Sequence, residues 1–154
     1  MTADDCIIRQ FMPEDAERAS AIVCSCLRLD PMLPASARDE LLLMETPASM
    51  IELSRLFYMA VCVHAERIAG VGGVDMNEIR LLFVDPGSQR LGMGSRLLEH
   101  LEAWVPLALF GDIFVYSAQG AAGFYEAHGY RLEGEHLFFI AGHNVPTIFM
   151  KKVL

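Results

Sequence analysis

The stretch Gln89-Arg90-Leu91-Gly92-Met93-Gly94 constrains this chain more than any other, because it lies between the apolar run Ile79 to Val84 and a helix-patterned segment that opens at about Ser95. A strand, a glycine-bearing turn and a helix in that order bring unpaired main-chain N–H groups and the positive end of a helix dipole to one point, which is an anion site. The expected anion is a phosphate. Gly92 and Gly94 matter because a residue without Cβ lets the backbone turn sharply and approach a pyrophosphate. Two familiar phosphate loops are excluded. The chain has no Gly-x-x-x-x-Gly-Lys-Ser/Thr, and its only lysines are Lys151 and Lys152. A dinucleotide fingerprint needs a third glycine, but Gly94 is followed by Ser95, Arg96 and Leu97. What remains is Gln-x-x-Gly-x-Gly after Val84-Asp85-Pro86.

At 154 residues the chain has the length of one domain, 1–154, with no linker, repeat or low-complexity run. Its hydrophobic content of 53% is high, yet charged residues or histidine interrupt every apolar stretch well short of a membrane span. The opening Met-Thr-Ala-Asp-Asp is acidic where a signal peptide is basic, so a cytoplasmic protein without membrane association is expected. The formal net charge of −8 argues against a nucleic-acid partner, whose binding rests on Lys and Arg. It suits a cationic or amine partner. Cys6, Cys24, Cys26 and Cys62 form neither a Cys-x-x-Cys pair nor a metal-type cluster with histidine, so reduced buried thiols and no metal site are expected.

Cys6 to Phe11 alternates as a short strand. Pro13-Glu14-Asp15-Ala16 opens a helix with the stripe Ala19, Ile22, Val23 and Leu27, and Asp30-Pro31 breaks it. A second helical region runs from Ala35 to Leu56 and is re-capped at Thr46-Pro47. Phe57 to His64 and Arg67 to Val74 read as a hairpin around Ala65-Glu66. Glu78 to Val84 is the next strand. The helix from Ser95 to Trp104 carries Leu97, Leu98 and Leu101 on one face, and the strand Asp112 to Ser117 follows it. A helix between these two strands lets them lie parallel. A short helix from Ala121 to His128, capped by Gly129, and strands Tyr130 to Ile140 and Val145 to Val153 complete the order β–α–α–β–β–β–α–β–α–β–β. That order specifies an α/β (α+β) fold on a mixed sheet.

Leu82, Val84, Pro86, Gln89, Gly92 and Gly94 fit without a gap the pyrophosphate loop of the GCN5-related N-acetyltransferases, roughly Leu-x-Val-x-Pro-x-x-x-Gln/Arg-x-x-Gly-x-Gly/Ala. Downstream, Ala121-Ala122-Gly123-Phe124-Tyr125-Glu126-Ala127-His128-Gly129-Tyr130 resembles the family's second signature, Ala-x-x-Phe-Tyr-x-x-x-Gly-Phe/Tyr. The order of elements matches as well, so the resemblance covers nearly the whole chain. It implies a mostly antiparallel sheet with a splayed parallel strand pair and helices on both faces. It further implies an acetyl-CoA-dependent transfer of an acetyl group to a primary amine of a small molecule, peptide or protein. A non-catalytic acyl-CoA-binding module is the alternative.

On this resemblance, main-chain groups of Leu82, Phe83 and Val84 meet the pantetheine arm, and Gln89, Arg90, Leu91, Gly92, Met93, Gly94 and Ser95 cradle the pyrophosphate. A main-chain N–H of Val84 or Phe83 serves as oxyanion donor. Arg90, inside the loop, is a better phosphate ligand than Arg96. The family often has Asn seven residues before its tyrosine; here that residue is Ala118, and Ser117 or Gln119 stands in. Tyr125 is the expected general acid, since a phenol of pKa about 10 stays protonated at neutral pH beside a departing thiolate. Glu78, at the start of the strand leading to the cofactor, is the expected base. His128, His136 and His143 are weaker alternatives, with His128 exposed beside Gly129. The acceptor is expected between Ala16 to Leu56 and the last hairpin, and the family's habits make a homodimer compatible with the apolar composition.

Overall fold

The computed structural model describes residues 5–154. The acidic opening of the chain therefore lies almost wholly outside the described residues. Seven strands form one sheet in the order β1-β2-β3-β4-β5-β7-β6. They are β1 (Cys6–Gln10), β2 (Tyr58–His64), β3 (Arg67–Asp75), β4 (Glu78–Val84), β5 (Asp112–Ala118), β6 (Arg131–Ile140) and β7 (His143–Val153). Every neighbouring pair is antiparallel except β4 with β5. The helices are α1 (Ala16–Leu29), α2 (Ala35–Met44), α3 (Pro47–Leu56), α4 (Met93–Glu102) and α5 (Ala122–Ala127).

The alternation of β2 shows how the layers form. Met59 and Val61 are buried with Ala19 and Val23 of α1 and Met50 of α3, whereas Ala60 and Cys62 are buried with Met93 and Leu97 of α4. A period of two sends successive side chains to opposite faces, so α1 and α3 cover one face and α4 the other. The face of α4 continues under β5 and β7, where Leu98, Leu101, Ile113, Val115, Tyr125 and Met150 share a core. Leu97, Leu98 and Leu101 are fully buried, each stabilising the α4 face by roughly 1.5–3 kcal/mol. The helix lies close to β3: a Cβ on Gly70 would fall 2.9 Å from Leu97 Cδ1, and one on Gly72 2.9 Å from Leu101 Cδ1.

The caps follow the sequence with two shifts. Thr46 opens α3 as read, its Oγ1 accepting the Ser49 N–H at 3.1 Å while its own N–H donates to Ser49 Oγ at 3.0 Å. Pro13–Asp15 forms a single 3-10 turn, and α1 proper starts at Ala16. Asp15 is buried there, accepting from Arg9 Nη1 and Nη2 at 2.8 and 2.9 Å and from the Met12 N–H at 2.8 Å. The phosphate-loop helix α4 opens at Met93 rather than Ser95, because Gly92 takes a left-handed φ of 82° and starts the turn earlier.

The expectation of four reduced thiols is corrected. Cys6 and Cys62 form a disulfide across β1 and β2, with Cα atoms 6.2 Å apart. The antiparallel register pairs Cys6 with His64 and Ile8 with Cys62, so the two cysteines are diagonal neighbours on one face. Their separation of 56 residues hid this from any local spacing pattern. Cys24 and Cys26 are free.

Candidate active site

β4 and β5 are paired only at Glu78 with Phe114 and Ile79 with Val115. Beyond that point the two strands diverge, and the edge of β4 from Arg80 to Val84 has no strand partner on the β5 side. An irregularity precedes the divergence: Val74 pairs with Ile79 and Gly73 with Leu81, leaving Arg80 as an extra residue. This bulge reverses the alternation. Ile79 is buried on the α4 face, yet Leu81, two residues on, is buried on the face of α1 and α3. The bulge thus sends Leu81 and Phe83 to one side of the gap, and Leu82 and Val84 to the other.

The Asp85 N–H donates to the Ala69 carbonyl at 2.8 Å. By the antiparallel alternation, the main-chain groups of Phe83 then face β3, while those of Leu82 and Val84 face the gap. The Val84 carbonyl is already occupied, accepting from Gln89 Nε2 at 3.1 Å and Cys26 Sγ at 3.2 Å. The Val84 N–H and the Leu82 groups remain directed into the gap.

Two connected cavities occupy the divergence. The smaller, about 470 Å³, is lined by Gln89, Arg90, Gly92, Met93, Gly94 and Ser95 at the α4 N-terminus, with Phe124 beyond them. Arg90 sits there with a φ of 67°, which brings the loop round toward Gly92. Leu91 points the other way and packs into the core with Met93 and Leu97, anchoring the loop. A Cβ on Gly94 would lie 3.5 Å from Phe124 Cε2 and 3.6 Å from Val84 Cγ2, so a larger side chain would narrow this cavity. The donor set therefore fits a pyrophosphate: main-chain N–H groups at a helix N-terminus with an arginine beside them. Arg96 instead donates to the Cys6 carbonyl at 2.6 Å, toward β1.

The larger cavity, about 740 Å³, is lined by Glu78, Phe83, Ser117 and Gln119, and then runs on between α1, α2 and the β6–β7 hairpin. Leu82, Val84, Gln89 and Tyr125 line both cavities, as do Gly120 and Ala121. Tyr125 therefore stands where the two meet. Its side chain is buried against Phe124 and Tyr130, and burial raises its pKa further above the ordinary phenol value. Glu78 is half-buried at the first residue of β4, where that strand is still paired with β5. Its carboxyl is pushed up chiefly by burial, against the pull of Arg80 and with added repulsion from Asp75.

Ser117 is buried and its hydroxyl donates to the Ala118 carbonyl at 2.7 Å. Gln119 begins the turn that leads into α5. His128 is not exposed as read from the sequence: it is half-buried, with Nδ1 2.8 Å from the Phe124 carbonyl and Nε2 2.8 Å from Ser95 Oγ. The sequence signal for it was the count of four residues from Phe124, one helical turn. His136 lies exposed beside Tyr116 and Phe138. No group of three or more His, Cys, Asp or Glu among the described residues is arranged to hold a metal. No helix among them is long and apolar enough to cross a membrane.

A seven-stranded, mostly antiparallel sheet with one divergent parallel pair and a glycine turn at the divergence defines an acyl-CoA acyltransferase fold. The family model for the acetyltransferase (GNAT) domain matches residues 37–154, and the chain belongs to this family. Among solved structures, it is similar to a GCN5-related N-acetyltransferase from Rhodopseudomonas palustris, at 18% identity and TM-score 0.91 over 100% of this chain and 99% of that one. It is also similar to the PaiA N-acetyltransferase of Thermoplasma acidophilum in complex with coenzyme A, at 14% identity and TM-score 0.76 over 97% and 99% of the two chains. A phosphinothricin acetyltransferase from Sinorhizobium meliloti, in complex with AcCoA, shares 18% identity at TM-score 0.70 over 97% and 89%. No curated protein matches the chain.

Proposed function

We propose that residues 1–154 form one acetyltransferase domain that moves the acetyl group of acetyl-CoA directly onto a primary amine. The observation that carries this reading is the position of Tyr125 at the junction of the two cavities, between the glycine turn and the cleft holding Glu78. Structures of this fold with coenzyme A or AcCoA bound support the choice of cosubstrate. Acetyl-CoA supplies the activated thioester.

Three tasks fall to the protein. Glu78 takes the proton of the incoming ammonium, directly or through water, and its raised pKa brings it nearer to the working pH of a base. The Val84 N–H, directed into the gap, stabilises the oxyanion of the tetrahedral intermediate. Tyr125, kept protonated by burial, returns a proton to the leaving sulfur. Gln89, Arg90 and the N–H groups from Leu91 to Ser95 hold the pyrophosphate, while Leu82 and Val84 meet the pantetheine and Ser117 and Gln119 border it. Phe83 acts through its side chain on the acceptor face. A cytoplasmic site of action belongs to the same reading.

Calorimetry with acetyl-CoA and CoA, followed by release of free thiol with a panel of amines, tests the reading. Binding plus amine-dependent thiol release is the expected result. Absence of binding at near-millimolar CoA overturns it, and binding without turnover on any amine leaves the sensing module instead.

A further inference from the structure

The larger cavity continues past the divergence of the strands onto a wall built by α1, the α1–α2 connection and α2, opposite the β6–β7 hairpin. Most of that wall is apolar: Leu27, Leu33 and Leu41 on one side, Phe138, Ile140 and Pro146 on the other. Tyr116 adds an aromatic surface, backed by Phe149 at a ring separation of 5.1 Å. Such a lining takes an apolar body, because polar groups without partners there would lose their hydration.

The charges in the same cavity are mostly negative. Asp30, Glu45 and Glu78 line it, and Arg80 is the one basic residue among the lining residues. Arg80 is already engaged, 3.3 Å from Asp75 and stacked over the Phe57 ring at 5.3 Å. Asp30 is turned to its own loop, Oδ1 accepting the Met32 N–H at 2.9 Å. Glu45 differs. Its main chain is pinned to α1, the carbonyl accepting from Ser20 Oγ at 2.8 Å and Cys24 Sγ at 3.3 Å. Its carboxylate has no hydrogen bond or ion pair among the described residues, although the residue is more than half-buried. A partly desolvated glutamate lining a ligand cavity without a counter-charge is a cation-binding element, since a cation repays what burial costs it.

We propose that the acceptor is an apolar primary amine without a carboxylate or other anionic group, its ammonium drawn into the cleft by Glu45 and delivered to Glu78. This rests on the acetyltransferase reading and names its substrate class. An amino acid or other acceptor with a free acidic group would set its anion against Asp30, Glu45 and Glu78 with no free basic side chain to receive it.

The test compares 2-phenylethylamine with phenylalanine, which differ by one carboxylate, and with ethanolamine, which lacks the apolar body. On the unmodified protein, kcat/KM for 2-phenylethylamine should exceed both by at least tenfold. Glu45→Gln should raise the KM for 2-phenylethylamine about tenfold while changing kcat little, and Glu45→Lys should shift preference toward phenylalanine. Equal use of phenylalanine, or an unchanged KM in Glu45→Gln, overturns the acceptor assignment while leaving the acetyltransferase reading intact. Loss of acetyl-CoA binding by the unmodified protein overturns both.

Discussion

His128 ties together the two helices that carry the two sequence motifs: its Nε2 lies 2.8 Å from Ser95 Oγ in the first turn of α4, and its Nδ1 lies 2.8 Å from the Phe124 carbonyl in α5. A carbonyl only accepts, so Nδ1 carries a hydrogen, and in the neutral ring Nε2 accepts from the Ser95 hydroxyl. The bridge fixes the distance between the phosphate turn and Tyr125.

His128→Ala removes both bonds at once. It should lower stability by about 1–2 kcal/mol, read as a drop in Tm, and raise the KM for acetyl-CoA together with a fall in kcat. A variant with wild-type KM, kcat and Tm would show that the bridge positions nothing.

Tyr125→Phe keeps the ring that packs against Phe124 and Tyr130 and removes only the hydroxyl. A general acid contributes on the order of 10²-fold or more, so kcat should fall by about that factor while acetyl-CoA affinity measured by calorimetry stays within twofold. Unaltered turnover with chemistry rate-limiting would remove Tyr125 from the mechanism.

Burial raises the Glu78 pKa, so its base form is lost on acidification at a higher pH than for an ordinary glutamate. The acid limb of kcat/KM should therefore lie above the usual carboxylate range, with activity falling as pH drops through the raised value. Glu78→Gln should abolish that limb and reduce the rate at least tenfold. An identical profile in the variant would assign the limb to another group.

Asp15 shows the opposite shift. Its hydrogen bonds from Arg9 and the Met12 N–H hold its pKa below the ordinary value, outweighing the effect of burial. A depressed carboxylate stabilises the fold above its unfolded pKa and loses that stabilisation as pH falls through the folded value. Asp15→Asn should destabilise by about 2 kcal/mol at neutral pH in urea unfolding, a figure reduced for the partial exposure of Arg9. The difference from wild type should shrink below pH 4 or so. A gap that persists at low pH would mean packing rather than charge.

Gly72→Ala tests the approach of α4 to β3. The new methyl would fall 2.9 Å from Leu101 Cδ1, and overpacking of this kind costs about 1–3 kcal/mol. Unchanged Tm would show that Leu101 can move aside.

Much of the site was legible in the chain because it depends on local chemistry. The glycines of Gln89–Gly94 specify a turn wherever they occur between a strand and a helix, and Thr46-Pro47 specifies a cap through its own side chain. α4 starts two residues before the position its sequence pattern predicts, because a left-handed Gly92 joins the helix as its cap instead of lengthening the loop. The Cys6–Cys62 bond, the His128–Ser95 bridge and the unpaired Glu45 were not legible, since each depends on segments distant in sequence.

The sequence by itself determined the kinds of elements, their order, the phosphate turn and the tyrosine that follows it, because periodicity, turn residues and caps act within a few residues. The tertiary structure alone decided which face each side chain of β4 serves. One extra residue, Arg80, opposite β3 reverses the alternation there, placing Leu81 toward α1 and α3 and Leu82 toward α4. That reversal depends on the register with β3 and on the two-residue pairing with β5, both of which are non-local, and it opens the gap in which the chemistry is proposed to occur.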